Sequence, residues 1–175
     1  MNVTLIGYRC TGKSTIGRIL SDVIGWTLVD TDALIQERAG KTVREIVADG
    51  GWQAFRRLER DVVADVAKGD DQVISAGGGV ILDSTNARLL REAGKVVLLT
   101  CPPEVIWQRM QDDAKTDAER PDLTDAGGLD EVRRVLAERQ PAYDAAAHYR
   151  IPTDRFSPQE TAGRILAWFK ARRYL

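Results

Sequence analysis

Near its N-terminus the chain reads Gly7-Tyr8-Arg9-Cys10-Thr11-Gly12-Lys13-Ser14-Thr15, which matches the phosphate-loop pattern G-x-x-x-x-G-K-[ST]. The apolar run 3–6 before it predicts a buried strand, and the apolar spacing after it predicts a helix over 13–24. A loop between a strand and a helix presents backbone N–H groups to a phosphate, while Lys13 reaches the β- and γ-phosphates and Ser14 can bind Mg²⁺. We therefore predict that residues 7–15 bind a nucleotide; a glycine-rich turn that binds nothing is the alternative.

Outward from this loop, strands alternate with helices. Apolar runs predict further strands at 26–29, 72–75, 96–100 and 148–153, of which the last has the weakest pattern. The predicted helices lie at 33–66 with breaks at Gly40 and Gly50-Gly51, from Asp83 or Ser84 to Glu92, at 104–110, at 129–146 with an interruption around Pro141, and from Ser157-Pro158 onward. This order predicts a three-layer α/β/α sandwich with a central five-stranded parallel sheet, and 1–175 as a single domain.

Composition limits the class of protein. The 175 residues are 43% apolar and carry a net charge of −1, so we expect one domain with a substantial core and no nucleic-acid partner. No apolar run reaches the roughly 18 residues that span a bilayer, and a strand begins at the N-terminus, so neither a membrane partner nor a signal peptide is expected. Cys10 and Cys101 are interpreted as reduced thiols of a cytoplasmic protein.

Two groups of residues at strand ends are candidates for ligand binding. Asp30 and Asp32 follow the second strand, at the edge where open parallel sheets bind ligands. Alternation would aim both the same way unless the strand end twists them apart, and capping of the next helix is the alternative. Gly77-Gly78-Gly79 follows the third strand and indicates close approach of the backbone to another group, with a flexible turn as the alternative.

Charged residues on helices are harder to interpret from sequence. Arg56 and Glu59 stand three apart, and the helical pattern alone favours a surface ion pair worth about 0–1 kcal/mol. His148 has no neighbours that complete a triad or a metal site, so we interpret it as structural or solvated. The segment 111–128 is long, polar and aperiodic, which predicts a mobile lid; Arg120 lies within it and Arg109 just before it.

In this combination the chain resembles the shikimate kinases, of the nucleoside-monophosphate-kinase-like group of phosphate-loop enzymes. The resemblance extends from Val3 to the last helix. Its selective parts, in the family order, are Gly12-Lys13-Ser14-Thr15, Asp30-x-Asp32, Phe55-Arg56-Arg57-Leu58-Glu59, Gly77-Gly78-Gly79, Arg120-Pro121 and Arg139-x-Pro141-x-Tyr143. The phosphate loop alone indicates only nucleotide phosphates, whereas the whole set favours a functional Arg56 over a surface ion pair.

The resemblance implies a role for each matching residue. Lys13, Asp32 and Arg120 are the implied catalytic residues, Asp32 by orienting the acceptor hydroxyl and Arg120 by closing on the transferring phosphate. Mg²⁺ is held by Ser14, with Asp30 assisting through water. The acceptor side comprises Asp32, Arg56, Gly77, Gly78, Gly79 and Arg139, in which the two arginines pair with the substrate carboxylate. The nucleotide side comprises Gly7, Cys10, Thr11, Gly12, Lys13, Ser14, Thr15, Arg109, Arg120, Thr153 and Arg155, in which Arg109 stacks on adenine.

Two residues depart from the family pattern. Cys10 occupies a position that is often glycine, so it must adopt a backbone conformation that glycine favours. Asp122-Leu123 follows Pro121 where apolar residues are usual, which bears on how the lid packs.

The resemblance implies ATP-dependent phosphorylation of the 3-hydroxyl of shikimate, in the pathway to chorismate and aromatic amino acids. The expected partners are shikimate and ATP, and the expected state is a monomer. The implied domain has its acceptor-binding region at about 33–61 and its lid at about 111–128. Another small-molecule kinase of the same fold, of gluconate or nucleotide type, is the main alternative, and a non-catalytic nucleotide-binding regulator is a second.

Overall fold

The computed structural model describes residues 1–113 and 127–175. Its centre is a five-stranded sheet in the order β2-β3-β1-β4-β5, and all four neighbouring pairs are parallel. The strands are β1 (Asn2–Ile6), β2 (Thr27–Asp30), β3 (Gln72–Ser75), β4 (Gly94–Thr100) and β5 (Tyr149–Pro152). The predicted five-stranded parallel sheet is therefore confirmed, with strand boundaries that differ from prediction by one or two residues.

Helices connect the strands and cover both faces of the sheet. In the described part of the chain they are α1 (Lys13–Ile24), α2 (Thr31–Ala39), α3 (Val43–Val66), α4 (Ser84–Ala93), α5 (Pro103–Asp112), α6 (Gly128–Ala146) and α7 (Pro158–Ala171), with a 3₁₀ turn at Val80–Leu82. None of them is long and apolar enough to cross a membrane.

Alternation along the strands separates two hydrophobic cores. In β4, Val96 and Leu98 join the core formed with α2, α3, α4 and α6, whereas Val97 and Leu99 join the core formed with α1 and α7. A strand buried on both faces is apolar throughout, as β4 is. The two cores give the three-layer α/β/α sandwich.

Local signals set several helix boundaries. Thr42 and Ser157 begin α3 and α7 with capping boxes. Each cap hydroxyl accepts a hydrogen bond from the backbone N–H three residues later, at Glu45 or Glu160, and the carboxylate of that glutamate accepts one from the backbone N–H of the cap residue. Within α3, Gly51 has φ 68° and ψ 179° and kinks the helix. The break that the sequence predicts at Gly50-Gly51 is thus a kink between two helical pieces.

Two local expectations need correction. The helix α6 continues through Pro141, where an interruption was predicted; proline removes one N–H donor, and the packing of flanking residues such as Val135 and Tyr143 in the core outweighs that loss. The lid range 111–128 is also too long at both ends, since α5 reaches Asp112 and α6 begins at Gly128. The rest of the predicted lid, with Arg120, lies outside the described residues.

Candidate active site

The phosphate loop connects β1 to α1 with the geometry its pattern predicts. Gly12 is the N-cap of α1 in the left-handed conformation, with φ 98°. A Cβ on Gly7 would lie 2.5 Å from the carbonyl oxygen of Leu99, so only glycine fits there. Lys13 Nζ donates to the carbonyl oxygens of Gly7 at 2.9 Å and of Tyr8 at 2.8 Å, which holds the ammonium group over the loop.

Cys10 occupies the loop position that the sequence marks as unusual. Its φ is 58°, a left-handed value that non-glycine residues adopt at a cost of roughly 1–2 kcal/mol. Its carbonyl oxygen accepts a hydrogen bond from Arg109 Nη1 at 3.3 Å. The backbone here has the conformation that a glycine would provide, and the cysteine adopts it.

A hydroxyl and a carboxylate meet beside the loop. Ser14 Oγ donates to Asp30 Oδ2 at 3.0 Å and lies 3.3 Å from Ser75 Oγ. These are hard oxygen donors of the kind Mg²⁺ prefers, and Mg²⁺ in nucleotide sites completes its shell with phosphate oxygens and water. The described residues contain no group of three or more His, Cys, Asp or Glu side chains that could hold a metal ion.

Asp30 and Asp32 diverge as the strand ends. Asp30 caps α2, because its Oδ1 accepts from the backbone N–H groups of Asp32 and Ala33. Asp32 lines a separate cleft, and its Oδ1 lies 2.5 Å from where a Cβ on Gly77 would be. Helix capping and ligand binding, the two alternatives predicted for this pair, therefore each describe one residue. Asp30 caps α2 and also contacts Ser14, and Asp32 lines a candidate binding site.

The separate cleft has a volume of about 460 Å³ with the space open to solvent included, and a strongly charged lining. Its residues come from the phosphate loop, α2, α3, α6 and the turn after β3, and they are Arg9, Asp32, Val43, Trp52, Phe55, Arg56, Glu59, Gly77, Gly78, Gly79 and Arg139. The acceptor-side residues predicted from sequence all meet in this cleft, which we call the acceptor cleft.

Arg56 and Glu59 are not a surface pair. Glu59 is 1% exposed and its carboxylate oxygens accept from Arg56 Nη1 at 2.8 and 2.7 Å. Burial raises the pKa of Glu59 above its usual 4.5, although Arg56 opposes this shift. The aromatic rings of Trp52 and Phe55 lie 5.6 and 5.4 Å from the guanidinium carbon. The buried carboxylate of Glu59 therefore orients the guanidinium group of Arg56.

The triple glycine forms the opposite wall of the cleft. A Cβ on Gly79 would overlap the guanidinium group of Arg56, lying 2.7 Å from Nη1. Gly77 N donates to Thr31 Oγ1 at 2.9 Å, and Tyr143 Oη donates to Gly78 O at 2.6 Å. Deep burial raises the pKa of Tyr143 to about 12, so the phenol stays a donor. This close approach explains glycine here better than a flexible turn does.

Six of the predicted nucleotide-side residues line a second opening, of about 750 Å³ with the space open to solvent included, whereas Gly7, Lys13 and Ser14 are not part of its lining. Arg109 Nη2 donates to the carbonyl oxygen of Thr153 at 2.7 Å, and its Nη1 lies 3.2 Å from Thr153 Oγ1. Cys10, Thr11, Gly12 and Thr15 line the same opening. Arg155 is exposed and does not line it, so its predicted contact with the nucleotide is not part of this geometry.

Two residues of the site were missed by sequence reasoning. Arg9 is 8% exposed and lines the acceptor cleft, yet the motif treats its position as variable. Glu59 was quoted in the family motif and as a partner in a surface pair, but it was given no role in the site. Its position one turn after Phe55, on the buried stripe of α3, was the signal that it would be buried.

His148 has a structural role. Its Nδ1 accepts a hydrogen bond from Val96 N at 3.0 Å, which ties the start of β5 to β4. Burial lowers its pKa below 6.5, and Arg91 and Lys95 lower it further. The interpretation of His148 as structural agrees with these contacts.

One edge of the sheet thus presents two compartments, one suited to nucleotide phosphates and one to a small anionic molecule. This arrangement defines an enzyme of the phosphate-loop kinase class, a phosphotransferase. The family model for shikimate kinase matches residues 9–170. The chain belongs to the shikimate kinase family.

Individual relatives agree with this assignment. The shikimate kinase of Symbiobacterium thermophilum is 40% identical over 172 residues, covering 98% of each chain. That of Nitratidesulfovibrio vulgaris is 43% identical over 152 residues, covering 87% of this chain and 86% of the relative. A solved structure of shikimate kinase from Acinetobacter baumannii in complex with shikimate superposes with a TM-score of 0.91 at 31% identity, covering 98% of this chain and 93% of that one. The predicted family and fold are confirmed.

Proposed function

We propose that this chain transfers the γ-phosphoryl group of ATP to the 3-hydroxyl of shikimate, giving shikimate 3-phosphate and ADP. This is the reaction of the family to which the chain belongs. The observation that carries the proposal is the acceptor cleft, in which Arg56, Arg139 and Arg9 surround Asp32 at the edge of the phosphate loop. Shikimate carries one carboxylate and several hydroxyls, and the cleft offers cations for the first and an anion for the second.

The carboxylate is held by Arg56 and Arg139. A planar guanidinium group matches a carboxylate with paired N–H donors. Glu59 occupies Nη1 of Arg56 from the buried side, so the remaining N–H groups are available to the substrate. Arg139 is 9% exposed and enters the cleft from α6, which gives the carboxylate partners on two different helices.

The hydroxyls are oriented by Asp32, with the backbone at Gly78 and Gly79 against the substrate ring. The side chain of Asp32 accepts hydrogen bonds from hydroxyls next to the acceptor and receives the proton of the reacting hydroxyl as the new bond forms. Its position at the carboxyl end of β2 brings the acceptor oxygen toward the phosphate loop.

The phosphoryl group is held by the loop and by positive charge. Lys13 exchanges the carbonyl oxygens of Gly7 and Tyr8 for phosphate oxygens when ATP binds. Ser14 and Asp30 would hold Mg²⁺, which neutralises phosphate charge. Arg120, carried over from the resemblance, adds charge at the transferring group, and the segment around it excludes water that would otherwise accept the phosphoryl group.

Each segment of the domain then has a role in the reaction. Residues 7–15 bind phosphate, residues of about 33–61 carry much of the acceptor cleft, and the segment between α5 and α6 supplies the lid. Arg109 and Thr153 form the adenine side. Catalysis then consists of positioning and charge stabilisation.

A coupled assay of ADP release tests the function. Purified protein is given ATP and Mg²⁺ with shikimate, with a shikimate analogue lacking the carboxylate, with gluconate or with a nucleoside monophosphate. We expect strong stimulation by shikimate only, and none in Lys13→Ala, whose fold is checked by circular dichroism. Arg56→Lys should raise the KM for shikimate and leave the KM for ATP unchanged, because an ammonium group cannot reproduce the paired donors.

Each alternative has a distinct outcome. Equal stimulation by gluconate or by a nucleoside monophosphate would replace the proposal with another kinase of this fold. ATP binding without turnover on any acceptor would indicate a nucleotide-binding regulator.

A further inference from the structure

A buried aromatic ring joins the phosphate loop to the acceptor cleft. Tyr8, the second residue of the loop, is 1% exposed and packs in a cluster with Ile106, Val132 and Val135. The guanidinium carbon of Arg139 lies 5.8 Å from the centre of its ring. This distance is within the range at which the face of an aromatic ring attracts a cation.

Arg9 also contacts this ring, at 5.9 Å from guanidinium carbon to ring centre. The two arginines depend on Tyr8 to different degrees. Arg9 is its chain neighbour and is placed by the loop itself. Arg139 comes from α6, where Tyr143 of the same helix also interacts with it, so the ring of Tyr8 supplies a contact from outside the helix.

We propose that Tyr8 is a positioning residue that holds the guanidinium group of Arg139 in place for the substrate carboxylate. The inference rests on the proposed function, in which shikimate supplies that carboxylate. Tyr8 itself does not line the acceptor cleft, so it acts through Arg139.

The backbone of Tyr8 keeps the ring in place. Its carbonyl oxygen accepts from Thr11 Oγ1 at 2.8 Å, a bond that does not depend on Lys13 and remains when Lys13 turns to the phosphates of ATP. The Thr11 bond is buried within the loop. A residue fixed on its backbone side by the nucleotide loop thus orients a side chain of the acceptor site.

The ring, and not the hydroxyl, carries this effect. Tyr8 Oη is buried and has no hydrogen-bond partner among residues 1–113 and 127–175. Burial also raises the pKa of Tyr8, so the phenol is neutral at the pH of an assay. Phenylalanine keeps the aromatic face and removes a hydroxyl that the described residues leave unpaired, which costs little stability.

The test compares Tyr8→Phe with Tyr8→Leu in steady-state assays with shikimate and ATP. We expect Tyr8→Phe to stay within about twofold of the wild type in the KM for shikimate. Tyr8→Leu should raise that KM by roughly tenfold, the size of one desolvated cation–aromatic contact, because Arg139 loses its orienting face. The KM for ATP should change less than about twofold in both variants, because the backbone carbonyl remains.

Two further variants separate positioning from general destabilisation. Tyr174→Leu removes a cation–aromatic contact at 4.6 Å from Lys95, away from both compartments, and should leave both KM values unchanged. Tyr8→Met replaces Tyr8→Leu if the latter does not fold, because methionine fills an irregular gap without an aromatic face. Thermal midpoints are recorded for every variant.

A double-mutant cycle identifies the residue through which Tyr8 acts. In an Arg139→Gln background, Tyr8→Leu should raise the KM for shikimate no more than about twofold further. An additional tenfold loss in that background overturns the inference, as does a Tyr8→Leu enzyme with the wild-type KM or a Tyr8→Phe enzyme as impaired as Tyr8→Leu. A wild-type enzyme that does not use shikimate would overturn the proposed function and this inference with it, whereas these variant outcomes in an active enzyme overturn the inference alone.

Discussion

Glu59 binds Arg56 from inside the protein, through both carboxylate oxygens on one guanidinium nitrogen, while Arg56 reaches the acceptor cleft with 27% of its side chain exposed. An ion pair at the surface contributes little, because water screens both charges. A pair with one buried member is different, since loss of either charge leaves the other without compensation. The orientation of Arg56 in the acceptor cleft therefore depends on Glu59 staying ionised.

The first prediction concerns pH. Burial raises the pKa of Glu59 above 4.5, so acid protonates it before an ordinary glutamate. As the pH falls through that raised value, Arg56 loses its partner and the KM for shikimate should rise. Glu59→Gln should show a KM that is high by roughly tenfold at every pH and lacks this acid-side rise, since charge-assisted hydrogen bonds contribute about 1.5–3 kcal/mol. An acid-side rise that persists in Glu59→Gln would assign the titration to another group.

The second prediction concerns Gly79. A methyl group there would overlap the guanidinium group of Arg56, which is the mobile end of a side chain. Gly79→Ala should therefore displace Arg56 and raise the KM for shikimate by about tenfold or more, with the KM for ATP and the thermal midpoint almost unchanged.

The matched control is Gly163→Ala, at a position in α7 where an added Cβ meets no atom within 4 Å. It should retain full activity and gain roughly 0.5–1 kcal/mol of stability. A Gly79→Ala enzyme with the wild-type KM for shikimate would show that Arg56 does not need its present position.

The third prediction concerns Arg120, which lies outside the described residues and is assigned from the resemblance alone. A contact made mainly at the transition state lowers kcat and kcat/KM together when it is removed. Arg120→Ala should lose turnover by roughly 10³-fold or more, as for other arginines that stabilise a transferring phosphoryl group. Acceptor affinity, measured by titration, should change far less. Turnover within a few-fold of wild type would move the role to Arg109.

The fourth prediction concerns Cys10, which adopts φ 58°. Cys10→Gly removes a left-handed strain of about 1–2 kcal/mol against a backbone-entropy cost of about 0.5–1 kcal/mol, so stability should stay equal or rise slightly. Its affinity for ATP should stay within about twofold. Cys10→Val should lose both stability and ATP affinity, since a β-branched residue tolerates this conformation poorly. Thermal melts and nucleotide titration distinguish the pair, and identical behaviour of the two variants would contradict the strain argument.

The fifth prediction concerns His148. Its Nδ1 accepts from Val96 N, so the folded state favours the neutral ring and its pKa lies below 6.5. The unfolded chain then binds the proton more readily, so the stability from this group is present above pH 6.5 and is lost as the pH falls through the lowered folded value. Because the His148 ring is partly exposed, water screens this effect. We expect the melting temperature to fall by roughly 1–3 °C as the pH is lowered from 6.5 through the folded-state pKa.

His148→Asn provides the comparison, because an amide oxygen accepts the same hydrogen bond without titrating. Its melting temperature should lack this component of the pH dependence. An unchanged pH profile in the variant would rule out His148 as the titrating group.

The sequence predicted the architecture well, because each signal there was local. The phosphate loop, the apolar strands and the caps at Thr42 and Ser157 each depend on a few neighbouring residues. Continuity of α6 through Pro141 was not predictable in this way, because it depends on how the helix packs in the core. The predicted roles of the site residues, the Mg²⁺ site, the monomeric state and the cytoplasmic location stay predictions.

The site was predictable only in part. Motifs identified Asp32, Arg56 and Arg139 as candidates, and the structure brings them into one cleft. Burial decides between a surface pair and an oriented arginine; the position of Glu59 on the buried stripe of α3 indicates that burial, but its charge favours the surface, so the two local signals conflict. Arg9 was missed because the phosphate-loop pattern leaves its position variable and because the cleft that it lines is completed by residues from other parts of the chain.

The hydrogen bond from Gly77 N to Thr31 Oγ1 connects the turn after β3 to the start of α2, next to Asp32. Asp32 and the glycine turn, which line the same cleft, are thereby joined at the ends of two adjacent strands of the sheet. Arg56, by contrast, is carried on α3 after the kink at Gly51, away from this tie. A substitution on α3 therefore changes the charged lining of the acceptor cleft without touching the hydrogen bond that joins the two strand ends.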